Sequence, residues 1–154
     1  MRLQVSTHLA IFAVLELTAR EGLQLSVAEI GKKYGVSSHH LAKVMHVMGR
    51  AGLVRSVRGV GGGYQFVGNA RRTTLLDVVQ LFEDLSSAEP GAAAADATGE
   101  EQTLSEILGE IDDVVRATLG SITIATMRKL VERRRADASN LRPKAASRRR
   151  QGSF

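Results

Sequence analysis

Polar and basic side chains that could contact a polyanion are concentrated between residues 37 and 58. One cluster combines hydroxyl, imidazole and ammonium groups: Ser37, Ser38, His39, His40 and Lys43. Two arginines, Arg55 and Arg58, follow it, and Arg58 opens the glycine-rich run RGVGGG at 58–63. Hydroxyl and imidazole groups donate and accept hydrogen bonds, and lysine and arginine neutralise phosphates. These residue types therefore suit contact with a nucleic acid.

Other kinds of chemistry are less well supported by the same residues. His39, His40 and His46 could bind a metal ion, but no cysteine or carboxylate lies near them in the sequence. The glycine-rich run lacks the Gly-Lys-Ser/Thr ending of a nucleotide-binding phosphate loop. An enzyme would need a nucleophile, a base and a charge-stabilising group in one pocket, and the sequence offers no such set. We therefore predict no catalytic residues and no metal site.

A helix and a glycine turn are predicted to precede the first cluster. Ser26 and Glu29 have the spacing of a capping box, in which each side chain satisfies a backbone N–H of the other residue. The helix that begins there runs to about Tyr34, and Gly35 and Val36 form the turn. An earlier helix, over about residues 6–20, is predicted to pack its apolar side inward and to end at a glycine.

The next helix is predicted to begin at Ser37 or Ser38, since either side chain can cap it. Apolar residues then recur at i, i+3, i+4 and i+7, which places them on one buried face: Leu41, Val44, Met45 and Met48. The opposite face carries His39, Lys43, His46 and Arg50. This helix therefore presents a polar and basic surface to a partner.

A β-hairpin is predicted directly after this helix. Two short β-prone runs, at 53–57 and 64–67, flank the glycine-rich loop. Two helices joined by a tight turn and followed by a hairpin make a winged helix-turn-helix, whose second helix enters the major groove of DNA. We predict that the first cluster reaches base edges and that the hairpin, the wing, contacts DNA through Arg55, Arg58 and Gly59.

The C-terminal half is predicted to be helical around one long loop. A helix from about Thr74 to Leu85 precedes a loop at 86–101, and a long amphipathic helix follows near 103–120. Its apolar stripe could cover the chain's own core or bind a second copy, through the candidates Leu104, Leu108, Ile111, Val115 and Leu119. A short helix from about Thr123 to Arg135 closes the fold. The basic residues 136–154 are predicted to be disordered.

Charge is distributed unevenly along the chain. Residues 1–72 hold ten Lys or Arg against three acids, residues 73–132 hold three against twelve, and residues 133–154 hold eight against one. Both ends could approach a polyanion, and the middle could not. The absence of cysteine excludes disulfides and thiolate chemistry. Aromatic residues make up only 4%, which argues against stacking on single strands, and no apolar run is long enough to span a bilayer.

Two runs resemble the Rrf-two family of bacterial regulators, which includes the iron-sulfur cluster regulator and the nitric-oxide-sensing repressor. They are YGVSSHHLAKVMHVMGRAGLVRSVRGVGGGYQF at 34–66 and TTLLDVVQLFE at 73–83. The resemblance covers roughly residues 1–132, and the basic tail lies outside it. It implies a homodimer joined through the long helix, with each subunit placing its second helix in one half of an inverted repeat.

Many members of this family hold an iron-sulfur cluster through three cysteines in the segment before the long helix. That segment corresponds here to residues 86–102, where Gln102 occupies the last cysteine position and alanines fill the region of the others. His8 resembles the position of an N-terminal ligand in nitric-oxide-sensing relatives, although a lone histidine on a first helix is more often structural. Thiolates hold such clusters in nearly every case, so we predict no cofactor.

The sequence thus predicts a mainly α fold with a small β-hairpin wing and a long C-terminal dimerisation helix. Its parts are a DNA-binding domain at 1–72, a connecting helix and sensor-type loop at 73–102, a dimerisation region at 103–135 and the tail. We expect a cytoplasmic, homodimeric repressor that binds a palindromic operator in double-stranded DNA and is not an enzyme. The alternative is a nucleoid-type DNA-binding or protein-interaction module that uses its basic tail without sequence preference.

Overall fold

The computed structural model describes residues 2–20, 22–85 and 98–148, with side chains described as far as residue 139. Within these ranges the regular secondary structure is helical except for one two-stranded antiparallel sheet. The elements are α1 Val5–Ala19, α2 Val27–Tyr34, α3 Ser38–Arg50, β1 Val54–Val57, β2 Gly63–Phe66, α4 Leu75–Val79, α5 Gly99–Ser121 and α6 Ile124–Arg148. The mainly α fold with a hairpin that the sequence predicts is confirmed.

The core is built around α1, which is apolar on all sides and is surrounded by other elements. Ten of its fifteen residues are buried. Helices α3, α4 and α6 and strand β2 all contact it. Helix α6 starts at Ile124, whose side chain is fully buried in the same core. A helix that is hydrophobic all round must be covered all round, so α1 fixes the positions of the elements that carry the polar clusters.

The helix-turn-helix forms as its caps predict. The Ser26 hydroxyl accepts from the Glu29 backbone N–H, and the Glu29 carboxylate accepts from the Ser26 N–H at 2.8 Å, which completes the capping box. Gly35 ends α2 with φ 66°, a left-handed conformation that glycine adopts without steric cost. Ser37, and not Ser38, then caps α3. The turn between the two helices is therefore set by local sequence.

The wing is held to the rest of the domain by its base. Strand β1 pairs with β2 so that Arg55 lies opposite Gln65. Leu25 and Tyr64 exchange two backbone hydrogen bonds, of 3.0 and 2.8 Å, which attach the segment before α2 to β2. A Cβ on Gly63 would lie 2.5 Å from the Leu25 carbonyl oxygen, so only glycine permits this approach. The wing thus has a fixed orientation relative to the helices.

Two helix boundaries differ from the sequence prediction. Helix α4 was expected to reach Leu85 but ends at Val79, because the following N–H groups of Leu81 and Phe82 bond to carbonyls three residues back. Helix α5 begins at Gly99, four residues earlier than expected. Thr98 and Glu101 form a capping box that starts it inside the region predicted as loop. The rest of that loop, 86–97, lies outside the described residues.

Helix α6 is longer than expected. The sequence predicted its end near Arg135 and disorder beyond, whereas the helix continues to Arg148. Alanine and arginine, which are strong helix formers, recur in residues 136–142, before Pro143, which lacks the backbone N–H that a helix interior uses. A helix already anchored in the core extends without a new nucleation cost, so these residues can continue it. The predicted tail beyond 148 lies outside the described residues.

Candidate nucleic-acid interface

Helix α3 separates an apolar face from a polar one. Its buried side chains are Leu41, Val44, Met45 and Met48, as the spacing predicts. His39, Lys43, His46 and Arg50 are exposed. The buried face packs against α1, α2 and β1. The polar face is therefore available along the whole helix and is held rigidly by the packing behind it.

Two residues of the first polar cluster already have partners within the chain. The Ser37 hydroxyl accepts a 3.3 Å hydrogen bond from the His40 backbone N–H. The His40 ring is half-buried, and its Nε2 lies 3.2 Å from the Ser6 hydroxyl of α1. These contacts direct His40 toward α1. Ser38, His39 and Lys43 remain exposed at the start of α3.

The two wing arginines have different surroundings. Arg55 donates a 3.0 Å hydrogen bond from Nη2 to the Gln65 side chain across the sheet. Arg58 is exposed at the tip of the wing. The next residue, Gly59, has a φ of 111°, which glycine adopts easily and other residues adopt only with strain. The Gln24 side chain donates to the Gly61 carbonyl at 2.8 Å and holds the tip toward the segment before α2. Arg58 is thus the less constrained of the two.

The segment that builds this surface carries formal charges of one sign only. Between residues 30 and 76 the sequence contains eight Lys or Arg and no Asp or Glu. The first turn of α3 has no acidic residue, so the partial positive charge of the helix N-terminus is not neutralised locally. A surface of this kind attracts phosphates.

A charged network joins α2 to the core behind this surface. The buried Glu16 of α1 accepts hydrogen bonds from Lys33 and from the Tyr34 hydroxyl. Burial raises the pKa of Glu16, but these bonds outweigh it, so the pKa lies below its ordinary value. Burial and the hydrogen bond to Glu16 raise the pKa of Tyr34 to about 12. The carboxylate therefore stays charged and the hydroxyl stays a donor at neutral pH.

Sequence reasoning missed the residues that orient the interface. Ser6, Gln24 and Leu25 contact α3 or the wing from positions far away in the sequence. No local periodicity indicates such long-range contacts. Only the three consecutive glycines at 61–63 carried a signal, since a run of this kind often marks close backbone approach.

Helix α5 presents an apolar surface away from the core. None of its 23 residues is buried. Five large apolar side chains are 50–66% exposed: Leu104, Ile107, Leu108, Ile111 and Val114. Among the predicted dimer residues, Leu104, Leu108 and Ile111 belong to this exposed set, which we call the α5 stripe. Val115 is half-buried, and Leu119 packs against the chain's own core.

Comparison with known proteins places this arrangement in a family. The family model described as Rrf2, iron-dependent transcriptional regulator, matches residues 3–129. The match runs from the start of α1 into α6 and includes the winged helix-turn-helix. The chain belongs to the Rrf2 family of transcriptional regulators. This Rrf2 protein is a DNA-binding regulator and not an enzyme, as the sequence predicted.

Individual relatives agree with this assignment. A Rhodopseudomonas palustris protein named as the HTH-type transcriptional regulator BadM is 44% identical over 135 residues, 88% of this chain and 86% of its own. The structure of T. potens IscR covers 85% of this chain and 88% of its own, with a TM-score of 0.65 and 26% identity. CymR, the global cysteine regulator of B. subtilis, shares the fold with a TM-score of 0.68 and 22% identity over 84% of this chain and 98% of its own.

The iron-dependence in the family description does not fit the donor groups of this Rrf2 protein. The sequence contains no cysteine. Within the described ranges, no group of three or more His, Cys, Asp or Glu side chains is arranged to hold a metal ion. His8 lies with Nδ1 3.0 Å from the Gln4 carbonyl oxygen of its own helix. The side chains present therefore offer no thiolate set for a cluster.

In the described part of the chain, no helix combines the length and the apolar character that crossing a membrane requires.

Proposed function

We propose that this Rrf2 protein is a homodimeric repressor that binds a palindromic operator in the cytoplasm. In this proposal the α5 stripe joins two subunits, and each subunit places one α3 in the major groove of one half-site. A two-fold dimer matches the symmetry of an inverted repeat, so each copy makes the same contacts. The division into a DNA-binding part at 1–72, a connecting part at 73–102 and a dimerisation part at 103–135 follows from this arrangement.

The observation that carries the dimer is the exposure of the α5 stripe. Ile111 is 52% exposed and Val114 is 66% exposed, although both lie on a helix that has apolar residues at regular spacing. Amphipathic helices normally bury their apolar side. A contiguous apolar patch of this kind marks an interaction surface on a soluble protein. The matching stripe of a second copy has the same length and chemistry and would cover it.

The DNA contacts are assigned from exposure and charge. We propose that Ser38, His39 and Lys43 contact base edges, because they are exposed in the first turns of α3. Ser37 and His40 support that turn through their own hydrogen bonds. Arg58 at the wing tip would enter the adjacent minor groove, and Arg55 would contact the backbone beside it. Gly59 gives the wing tip the backbone conformation that this approach requires.

A nucleoid-type binder remains the rival function, because α6 carries exposed arginines at 133–135. The two functions differ in their sequence preference. A regulator prefers its operator over unrelated DNA by about 10³–10⁷-fold, whereas a general binder shows only salt-dependent affinity.

The test begins with selection of bound duplexes from random DNA by the full chain. Our proposal predicts that the selected sequences share an inverted repeat with half-sites about one helical turn apart. Competition with a scrambled duplex of equal length and composition then measures the preference at fixed salt. Recovery of no common sequence, or equal competition by the scrambled duplex, would exclude the operator-binding function and favour the rival.

A further inference from the structure

A pocket between α1, α2 and α6 lies apart from the DNA-facing surface and from the α5 stripe. Its volume is about 210 Å³, and its lining comes from these three helices alone. We propose that this pocket is an effector site that binds a small organic anion with an apolar body. The proposal goes beyond the DNA-binding function, because it assigns a ligand class to a different part of the molecule.

The walls of the pocket are mainly apolar. Leu15 and Ala19 line it from α1, and Met127 and Val131 line it from α6. The rings of Phe12 and Tyr34 stack with their centroids 4.9 Å apart and form a further wall. A volume of 210 Å³ lies below the roughly 300–1,000 Å³ of pockets for drug-sized ligands. The apolar body of the ligand is therefore small, of the size of one ring or one short alkyl chain.

The lining itself carries two acids and two arginines, and one cation is in excess once Lys33, which lies outside the lining, is counted. Glu16 is balanced by Lys33, to which it is hydrogen-bonded. Glu132 lies 3.5 Å from Arg128, whose Nη1 also donates to the Thr18 carbonyl oxygen at 2.7 Å. Arg135 is the remaining charged group of the lining.

Arg135 is exposed to solvent and lines the pocket, close enough for its charge to act on the other groups of the lining. Its positive charge contributes to the lowered pKa of Glu16 and partly opposes the rise in the pKa of Tyr34. The side chain lies one turn beyond Val131 and two turns beyond Arg128, on the same face of α6. It therefore stands at the mouth of the pocket. A guanidinium above an apolar wall recognises a carboxylate attached to an apolar body.

The position of the pocket connects a bound ligand to the DNA-binding helices. Tyr34 is the last residue of α2, and Gly35 begins the turn that leads to α3. A ligand that contacts Tyr34 and α6 together would fix α2 relative to the helix that follows the α5 stripe. This coupling rests on the proposed operator-binding function, whereas the site itself does not.

Binding is measured first on the full chain without DNA. The chain has two tyrosines and no tryptophan. Replacing Tyr64 with phenylalanine therefore leaves Tyr34 as the fluorescent reporter inside the pocket. The probes are hexanoate and phenylacetate, which separate a chain-like from a ring-like body, with 1-hexanol and hexylamine as neutral and cationic counterparts. We expect a saturable change in Tyr34 fluorescence with one or both anions, weaker binding of hexanol and no binding of hexylamine.

Two variants locate the site, and a third controls for charge. Arg135→Gln should weaken anion binding about tenfold or more and leave hexanol nearly unchanged. Ala19→Phe fills the pocket and should abolish binding of every probe. Arg134→Gln changes a neighbouring exposed arginine outside the lining and should bind like the parent. No saturable change with any probe in the folded parent, or binding that survives both Ala19→Phe and Arg135→Gln, would overturn the site.

The effector role is then measured with the selected operator. A bound anion should change operator affinity at least about fivefold, the lower end of typical coupling between sites. The change should be absent in Ala19→Phe. Anion binding with unchanged operator affinity would overturn the effector role. A parent protein that selects no operator would instead refute the proposed function, and the titration without DNA would still decide whether the pocket binds its ligand.

Discussion

The Tyr34 hydroxyl donates a 2.8 Å hydrogen bond to the Glu16 carboxylate and so joins the first helix of the helix-turn-helix to the central helix of the core. Lys33 bonds to the same oxygen. One buried acid thereby holds the C-terminal end of α2, immediately before the turn that aims α3. The orientation of the DNA-facing helix therefore depends on a partly buried polar contact at the edge of the apolar core.

We predict that Glu16→Gln destabilises the fold by about 1–2 kcal/mol at neutral pH, because it removes charge-assisted hydrogen bonds while Lys33 stays partly solvated. The folded-state pKa of Glu16 is lowered, so its contribution is present above the ordinary value of 4.5 and is lost as pH falls through the folded pKa. Urea unfolding of both proteins at neutral pH and well below pH 4.5 measures this. A difference that does not shrink in acid would contradict the assignment.

Arg58→Ala should weaken operator binding and leave the melting temperature nearly unchanged. The side chain is exposed at the wing tip, so its loss removes a DNA contact without disturbing the core. Duplex titrations and thermal melts provide the two measurements. Arg134→Ala on α6 is the matched control and should bind the operator like the parent. Equal affinity of Arg58→Ala and the parent would remove the wing tip from the interface.

Lys43→Ala should leave a stable protein that distinguishes the operator from scrambled DNA less well. Lys43 lies exposed on α3 between the buried Leu41 and Val44, so its truncation keeps the apolar face intact. Loss of one good base contact reduces discrimination by about 1–3 kcal/mol. The ratio of the two affinities at one salt concentration is the measurement. A uniform loss on both duplexes would show that Lys43 contacts phosphate and not a base.

The purified protein should be colourless and should bind its operator equally with or without iron, sulfide and nitric oxide. The chain contains no cysteine to hold a cluster. Absorption spectra after anaerobic reconstitution, together with iron analysis, test this expectation. A stoichiometric cluster that absorbs visible light would show that other side chains ligate it.

Local signals predicted the helix-turn-helix but not the contacts that orient it. The Ser26 and Glu29 box and the Gly35 turn are contained in a few neighbouring residues, and each forms as expected. Thr98 and Glu101 carry the same signal, but the lack of apolar periodicity around them favours a loop. The contacts from Leu25 to Tyr64 and from Ser6 to His40 join distant segments, so only the folded chain reveals them.

Helix length was also difficult to predict from pattern alone. The end of α4 at Val79 reflects tighter bonding of the next turn, since the N–H groups of Leu81 and Phe82 bond to carbonyls three residues back. The extension of α6 beyond Arg135 reflects helix propensity without any apolar stripe. The spacing of the α5 stripe is compatible with two alternatives: packing on the chain's own core or binding a second copy. In the structure of the single chain the stripe stays uncovered.

The most direct test of the homodimeric arrangement is the mass of Ile111→Asp in solution, measured by light scattering beside the parent. A charge buried in an apolar interface costs several kcal/mol, enough to shift association by orders of magnitude. Leu23→Asp, at another exposed apolar residue outside α5, is the matched control and should keep the mass of the parent. We expect a dimeric parent and a folded, monomeric Ile111→Asp whose operator affinity collapses while weak non-specific binding survives. A monodisperse dimer for Ile111→Asp would contradict the proposal that the α5 stripe joins the subunits.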